Sequence, residues 1–466
     1  MAFEAAADRG RRLQKGLSSL HLAFDLILAG NVLAYLSFMP MIVAVVGGRK
    51  VYVADLVFAF LAVSIALVAI VRFVDAGVRY SRKARSSVWL TMLMAWALVG
   101  MIRGVSQHGL SAVGEARNFV FSMLFYVFVA RLYGRRSIRQ LVVVFATLVA
   151  LMPVVRAIAF YAGGGKDVFV EDFSGSVILM SQAWYRFIQA GEAALVACVA
   201  VGMLIFAAEA RVRKYWGGLL AVGLALLGVV AFVQVRSAWL MGVVGMLFGM
   251  VASARFRRYL VVGMVRGGVA VIALGIALWA QEQLTGRRAD LLMSLSYGAS
   301  FVKDPTNDET ALWRLVVWRQ ALDSIGEHPV VGAGLGSYFE TTDPNGNEID
   351  RPFHNAYLYY LQKLGLVGLG LLVVGISVWT LDLARFVKNE RDPYFRLLGK
   401  VLIVSAAMFA TFAMFYDFVF GFWITIGAGT ALVRGGSTVR SERRRRPRHI
   451  APCLAGAKRQ GAAAVV

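Results

Sequence analysis

Charge is scarce in this chain. Asp, Glu, Lys and Arg make up 16% of its 466 residues, while 59% are hydrophobic. So little charge cannot cover a water-soluble globule, and the apolar residues recur in runs near bilayer length. Cysteine is scarcer: Cys198 lies within an apolar run and Cys453 in the tail, which leaves a disulfide framework or a thiolate metal site unsupported. Also missing is a short apolar leader. The first run, Leu22 to about Val46, is too long for a signal-peptide core and is read as an uncleaved span. Asn31 and Pro40 interrupt it, so a broken helix or a shallow hairpin is expected there.

What is present is a series of spans. Beyond the first, apolar runs are expected at Val53–Val71, Ser87–Ile102, Phe119–Leu132, Leu141–Tyr161, Phe187–Ala208, Trp216–Val233, Ala238–Val251, Tyr259–Ala280, Ala356–Trp379, Leu397–Phe415 and Phe418–Val433. The expected fold is therefore all-α: a polytopic integral membrane protein with about 12 transmembrane helices and one large periplasmic loop containing short helices. The division expected is a transmembrane core over 1–433, the loop at 281–354 within it, and a basic, disordered cytoplasmic tail at 434–466.

The net charge of +22 would suggest nucleic acid in a soluble protein. Here the basic residues sit between the spans, as cytoplasmic loops carry them, and no nucleic-acid partner is expected. Clusters at Arg9–Lys15, Arg72–Arg85, Arg131–Arg139, Arg211–Lys214, Arg255–Arg258, Arg385–Lys400 and from Arg434 onward all fall on one side if the spans are right. That side is read as the cytoplasm, with both termini in it. Arg49 and Lys50 are the exception. The Arg443–Arg446 run reads as a topology anchor, with anionic lipid as the competing use.

The opposite, periplasmic side holds the one long polar segment, Gln281–Phe353, with eleven acidic and six basic residues. Within it Thr310–Ile325 reads as a helix, with Leu312, Leu315, Leu322 and Ile325 on one face and an Arg319–Asp323 pair. Gly326 and Pro329 end it. Gly332, Gly334 and Gly336 follow, but no βαβ unit surrounds them, so a dinucleotide loop is rejected. A tight turn at the membrane surface is expected, able to aim backbone N–H groups at an anion.

Ionisable groups against apolar runs are costly, and their positions locate function. Arg117, Arg156, Arg186, Glu192, Arg236 and His354 all fall at outer ends of spans. Several guanidiniums at one depth suit a phosphate or diphosphate, because Arg offers a fixed fork and keeps its charge. An imidazole titrating near neutrality can take a proton from a hydroxyl. Together they describe transfer of a group from a lipid diphosphate to an alcohol. The competing reading is that individual arginines snorkel to headgroups or pair with Glu192 and Asp417. Asp25, His21, Asp55 and Asn31 read as structural.

Trp318, HPVVGAGLGSYF from His328, HNAYLYYLQKLGLVGL from His354 and VRSAWL around Arg236 resemble the motifs of the bacterial O-antigen ligase and Wzy-type polysaccharide polymerase family. The resemblance covers about Arg186–Gly370. It implies an integral-membrane GT-C glycosyltransferase of the inner membrane, metal-independent, inverting and without cofactor. Such an enzyme moves a glycan from undecaprenyl diphosphate to a hydroxyl of a glycan or lipid A core acceptor, in lipopolysaccharide or exopolysaccharide biosynthesis. It makes His354 the catalytic base, with Asn355 beside it, and Arg236 and Arg314 ligands of the donor diphosphate. Arg186 and Arg156 assist, and Glu192 and Arg319 support. Val235 and Ser237 flank Arg236 where the family often has Ser and Gly. Ligase and polymerase share these motifs, and a multi-span transporter or flippase of lipid-linked glycans is the alternative from another class.

Overall fold

The computed structural model describes residues 42–46, 49–52, 85–162 without 110, 133 and 134, residue 188, 190–261 without 210–212, 233 and 234, 309–337, 341–342, 348–349 and 354–445 without 419. It is helical apart from two small antiparallel β pairs. β1 (Ile42–Val46) pairs with β2 (Arg49–Tyr52), so the end of the expected first span is a hairpin strand and Arg49 and Lys50 open its partner. The rest of that span lies outside the described residues, as do Val53–Val71 and most of Tyr259–Ala280.

The helices are α1 (Arg85–His108), α2 (Ser111–Leu132), α3 (Arg135–Ala162), α4 (Ala190–Glu209), α5 (Arg213–Phe232), α6 (Arg236–Ala252), α7 (Glu309–Glu327), α8 (Ala356–Asn389), α9 (Pro393–Phe412) and α10 (Phe420–Arg445). A second small pair, β3 (Thr341–Thr342) with β4 (Glu348–Ile349), lies between α7 and α8. Among the described residues, five helices are long and apolar enough to cross a membrane: α1, the Ser137–Ile158 part of α3, α4, α8 and α9. Gly217–Ala231 and α6 are shorter apolar helices. Two expected boundaries move. α2 starts at Ser111 rather than Phe119, which brings Glu115 and Arg117 into the helix. α10 continues to Arg445, so the first part of the expected disordered tail is helical.

Neighbouring helices run antiparallel, and small residues mark where they meet. Gly100 of α1 lies against Leu364 of α8, and Leu90 against Gly375. Gly245 of α6 lies against Met408 of α9, and Gly427 of α10 against Val129 of α2. Close approach through small residues is how apolar helices associate when lipid offers no hydrophobic drive. The buried centre is apolar and aromatic, with Trp379, Trp423, Phe125, Phe412 and Phe422 fully enclosed. Trp379 places its indole N–H on the Ile426 carbonyl at 2.9 Å, which satisfies the one polar atom it carries inward.

These contacts divide the bundle into two ends. At one end Glu209 accepts from Ser253 at 2.7 Å and faces Lys400 at 3.4 Å, tying the ends of α4, α6 and α9 together. Arg434 caps α2 through the Ala130 carbonyl at 2.6 Å, and Arg139 lies over the Tyr394 ring at 4.9 Å. The basic residues of the described helix ends, Arg85, Arg213, Arg255 to Arg258 and Arg385 to Lys400, gather there. His108, Ser111, Glu192, Arg236, His354 and Tyr416 lie at the opposite end, as the antiparallel registers require.

Candidate functional site

α8 begins with a built cap. The Asn355 side chain accepts from the N–H groups of Tyr357 at 3.0 Å and Leu358 at 3.2 Å, satisfying two donors that a helix start leaves unpaired. The Ala356 N–H is shared between the carbonyls of Ala413 at 2.9 Å and Tyr416 at 3.1 Å, so the start of α8 is docked on the turn after α9. His354, immediately before the cap, has φ +42 and is exposed. A non-glycine residue in the left-handed region is uncommon, and here it throws the imidazole off the helix axis.

Two rings from different elements meet that imidazole edge-on. Trp313 of α7 stands 6.0 Å away at 63°, and Tyr416 stands 5.5 Å away at 68°. Tyr416 stacks on Phe412 at 4.8 Å and 11°, and the Arg314 guanidinium lies 5.6 Å from its ring centre. His354 and Arg314, separate in sequence, thus share one tyrosine ring. The Arg314 Nε is buried with no hydrogen-bond partner among the described residues.

α7 is a helix as expected, but it docks by another face. Val317, Ala321 and Ile325 are buried, with Val317 and Ala321 packed by Trp313, Trp318, Leu358 and Tyr359, whereas Leu315 and Leu322 are 58% and 54% exposed. The small Ala321 permits the close approach, and the turn that buries it also turns Arg314 inward. Arg319, five residues on, is exposed.

The glycine segment after α7 is a strap that enters the bundle instead of lying on it. α8 is broken at Gly365, with φ 67 and ψ −171, and the freed backbone pairs with the strap. Ala333 N–H donates to Gln362 O at 2.7 Å, Gly334 N–H to Lys363 O at 3.1 Å, and Leu366 N–H to Pro329 O at 2.8 Å. Leu335 N–H reaches Gly100 O of α1 at 3.1 Å, about 12 Å along the helix from His108 by helix rise. Irregular backbone at such depth is tolerated only where protein satisfies it, as here. Gly332, Gly334 and Gly336 all have positive φ, and a Cβ at Gly332 would strike the Lys363 backbone. The expected anion-binding turn is therefore corrected: the N–H groups of residues 333–335 go to carbonyls, and that of Gly336 goes to the Glu115 carboxylate.

Glu115 is the centre of a buried polar network that sequence reasoning missed. Its Oε1 lies 3.1 Å from Lys363 Nζ, whose side chain is 4% exposed, and Lys363 also donates to the Ser337 carbonyl. Tyr359 hydrogen-bonds the same carboxylate. Lys363, a lone cation in an apolar run, was the available signal under the rule that intramembrane charge is costly. Asp417, in the turn beyond Tyr416, is enclosed by protein and feels the Glu115 charge, which together push its carboxyl up to about 6. The residue keeps surface open to solvent, so the repulsion from Glu115 is the cause that exposure weakens least.

The remaining candidates fall in two groups. Arg156 of α3 and Glu192 of α4 form a buried ion pair, with Nε and Nη2 at 3.0 and 2.8 Å from Oε1 and side chains 3% and 0% exposed. Pairing with Glu192 was the competing reading for that arginine. Arg236 opens α6 at the His354 end, half-buried, followed by a buried Ser237 whose hydroxyl lacks a partner among the described residues. Arg186 lies outside the described residues, and of Arg117 only its place in α2 is described.

A polytopic helical membrane protein with an imidazole, an arginine and a shared tyrosine at one end of its bundle is the class these features define. Residues 230–373 match the family model described as O-antigen ligase, Wzy_C, so the chain carries that family's domain. Arg236, Arg314 and His354 all fall inside the match, and Glu115 and Tyr416 fall outside it. No curated protein matches the chain.

Proposed function

We propose that this chain is a glycosyltransferase of the inner membrane that moves a glycan from undecaprenyl diphosphate to a hydroxyl of a glycan or lipid A core acceptor at the periplasmic face. The observation that carries the reading is the pairing of exposed His354 with Arg314 across Tyr416, at the end of the bundle opposite the basic residues. Basic residues remain cytoplasmic, which puts the site in the periplasm.

His354 takes the acceptor proton as the oxygen attacks the anomeric carbon. The C–O bond to the diphosphate breaks as the new glycosidic bond forms, with inversion at that carbon. Arg314, with its unspent Nε–H, and Arg236 hold the departing diphosphate, with Arg186 as a further ligand. Arg156 is instead assigned to holding α3 on α4 through Glu192. The polar segment over 281–354 serves as acceptor platform, and no metal ion takes part.

The test is glycan analysis of a deletion strain complemented with wild-type or His354→Ala protein. Lipid-linked polymer with bare lipid A in the variant identifies a ligase, and single lipid-linked repeat units identify a polymerase. An unchanged glycan profile at normal abundance would remove the proposal and return the chain to the transporter class.

A further inference from the structure

Tyr416 lies outside the matched family region and outside every motif in the sequence, yet it touches both groups on which the proposed transfer depends. Its ring is 5.5 Å from the His354 imidazole and 5.6 Å from the Arg314 guanidinium carbon. Its carbonyl accepts the Ala356 N–H at 3.1 Å, at the cap that holds His354 off the helix. Its position is itself fixed: the ring stacks on Phe412, which is 1% exposed, and its N–H donates to the Phe412 carbonyl at 3.1 Å.

The geometry points to Tyr416 as the positioning residue of the site, holding His354 and Arg314 in one register. This inference rests on the function proposed above. Arg314 arrives on α7, which reaches α8 through the small patch around Val317 and Ala321, whereas His354 arrives on α8 itself. Two groups on separate elements need a common reference, and the back of the site supplies it through α9. A cation over an aromatic face is attracted by the ring quadrupole, and an imidazole edge-on to the same ring is confined in tilt. Both effects belong to the ring rather than to the hydroxyl. Phenylalanine therefore replaces tyrosine here, and an aliphatic side chain does not.

The experiment uses full-length protein in proteoliposomes, with lipid extract from a strain deleted for this chain as donor and membranes of that strain as acceptor. Rates are taken per molecule of monodisperse protein while the extract is titrated. Tyr416→Leu is expected to lower the maximal rate on the order of ten- to hundredfold, because misplaced reacting groups lose rate. Its half-saturating extract stays within about twofold of wild type, the pattern of an interaction realised in the transition state. Tyr416→Phe restores the rate. If Tyr416→Leu does not fold, Tyr416→Met carries the same comparison. A wild-type rate for the aliphatic variant, or failure of Tyr416→Phe to restore it, overturns the inference. His354→Ala is run beside them: an inactive His354→Ala with an active Tyr416→Leu removes only the role of Tyr416, whereas an active His354→Ala removes the proposed function as well.

Discussion

Replacing Lys363 by methionine isolates the energetics of the network beneath the site. In the wild type the ammonium faces Glu115 at 3.1 Å and also donates to the Ser337 carbonyl, while Glu115 accepts from Gly336 N–H and Tyr359. Lys363→Met fits the volume but leaves Glu115, 10% exposed, as a buried carboxylate without its countercharge. Breaking one side of a buried pair costs about 3–5 kcal/mol. The two remaining donors on Glu115 stabilise its charge, which places the loss near the lower figure. At roughly 2.1 cal/mol/K per residue of unfolding entropy, this chain loses ~1 kcal/mol per degree, so the midpoint falls by about 3–5 °C. The assay is recovery of monodisperse protein by size exclusion after graded heating in detergent. Adding Glu115→Gln to Lys363→Met removes the stranded charge and recovers most of the loss, since uncharged replacements of buried pairs are often near neutral. A single variant as stable as wild type, or a double variant no better than the single, would refute the reasoning.

Other outcomes follow from the same geometry. Gly365→Ala forces a Cβ onto the Val330 carbonyl at a backbone φ of +67, so the strap cannot pair with α8, and membrane abundance measured by immunoblot should collapse. Asn355→Ala removes the acceptor for two N–H groups of α8 and should cost about 1 kcal/mol, lowering the heating midpoint slightly while transfer falls more, because His354 loses its anchor. Asp417, pushed up from 3.8 to about 6, favours its neutral form in the folded protein. Its contribution to stability is therefore fullest at low pH and declines as pH rises from about 4 to 6. In an Asp417→Asn variant that decline should be absent when midpoints are compared at pH 5 and 7.

How much of this was legible in the sequence depended on whether a feature was local. Helices such as α1, α4, α6 and α9 follow the apolar runs, because a long apolar run is itself the signal. The start of α2 was misplaced since Glu115 and Arg117 lower the hydropathy without breaking any backbone hydrogen bond. The docking face of α7 went to Leu315 and Leu322 because they are the larger apolar residues, whereas the contact uses Val317 and Ala321, where small size matters more. The strap was visible only as three glycines. Their close approaches are to Lys363, Gly104 and Ala112, residues distant in sequence, so nothing local showed that the segment enters the bundle. Of the site, His354, Asn355 and Arg314 were legible as polar residues at the edge of apolar runs. Lys363 was equally exposed to that rule and was passed over within a long span. Tyr416 was not legible, since an aromatic residue near a span end reads as packing, and only the fold brings it between His354 and Arg314.

The central claim is that His354 and Arg314 form one transfer site on a lipid-linked donor. Its most direct measurement is the transfer of glycan from extracted lipid-linked donor to acceptor membranes by purified protein, comparing wild type with His354→Ala and Arg314→Gln at equal amounts of monodisperse protein. Transfer by the wild type, with its loss in both variants, is the predicted result. Undiminished transfer by either variant would contradict the account.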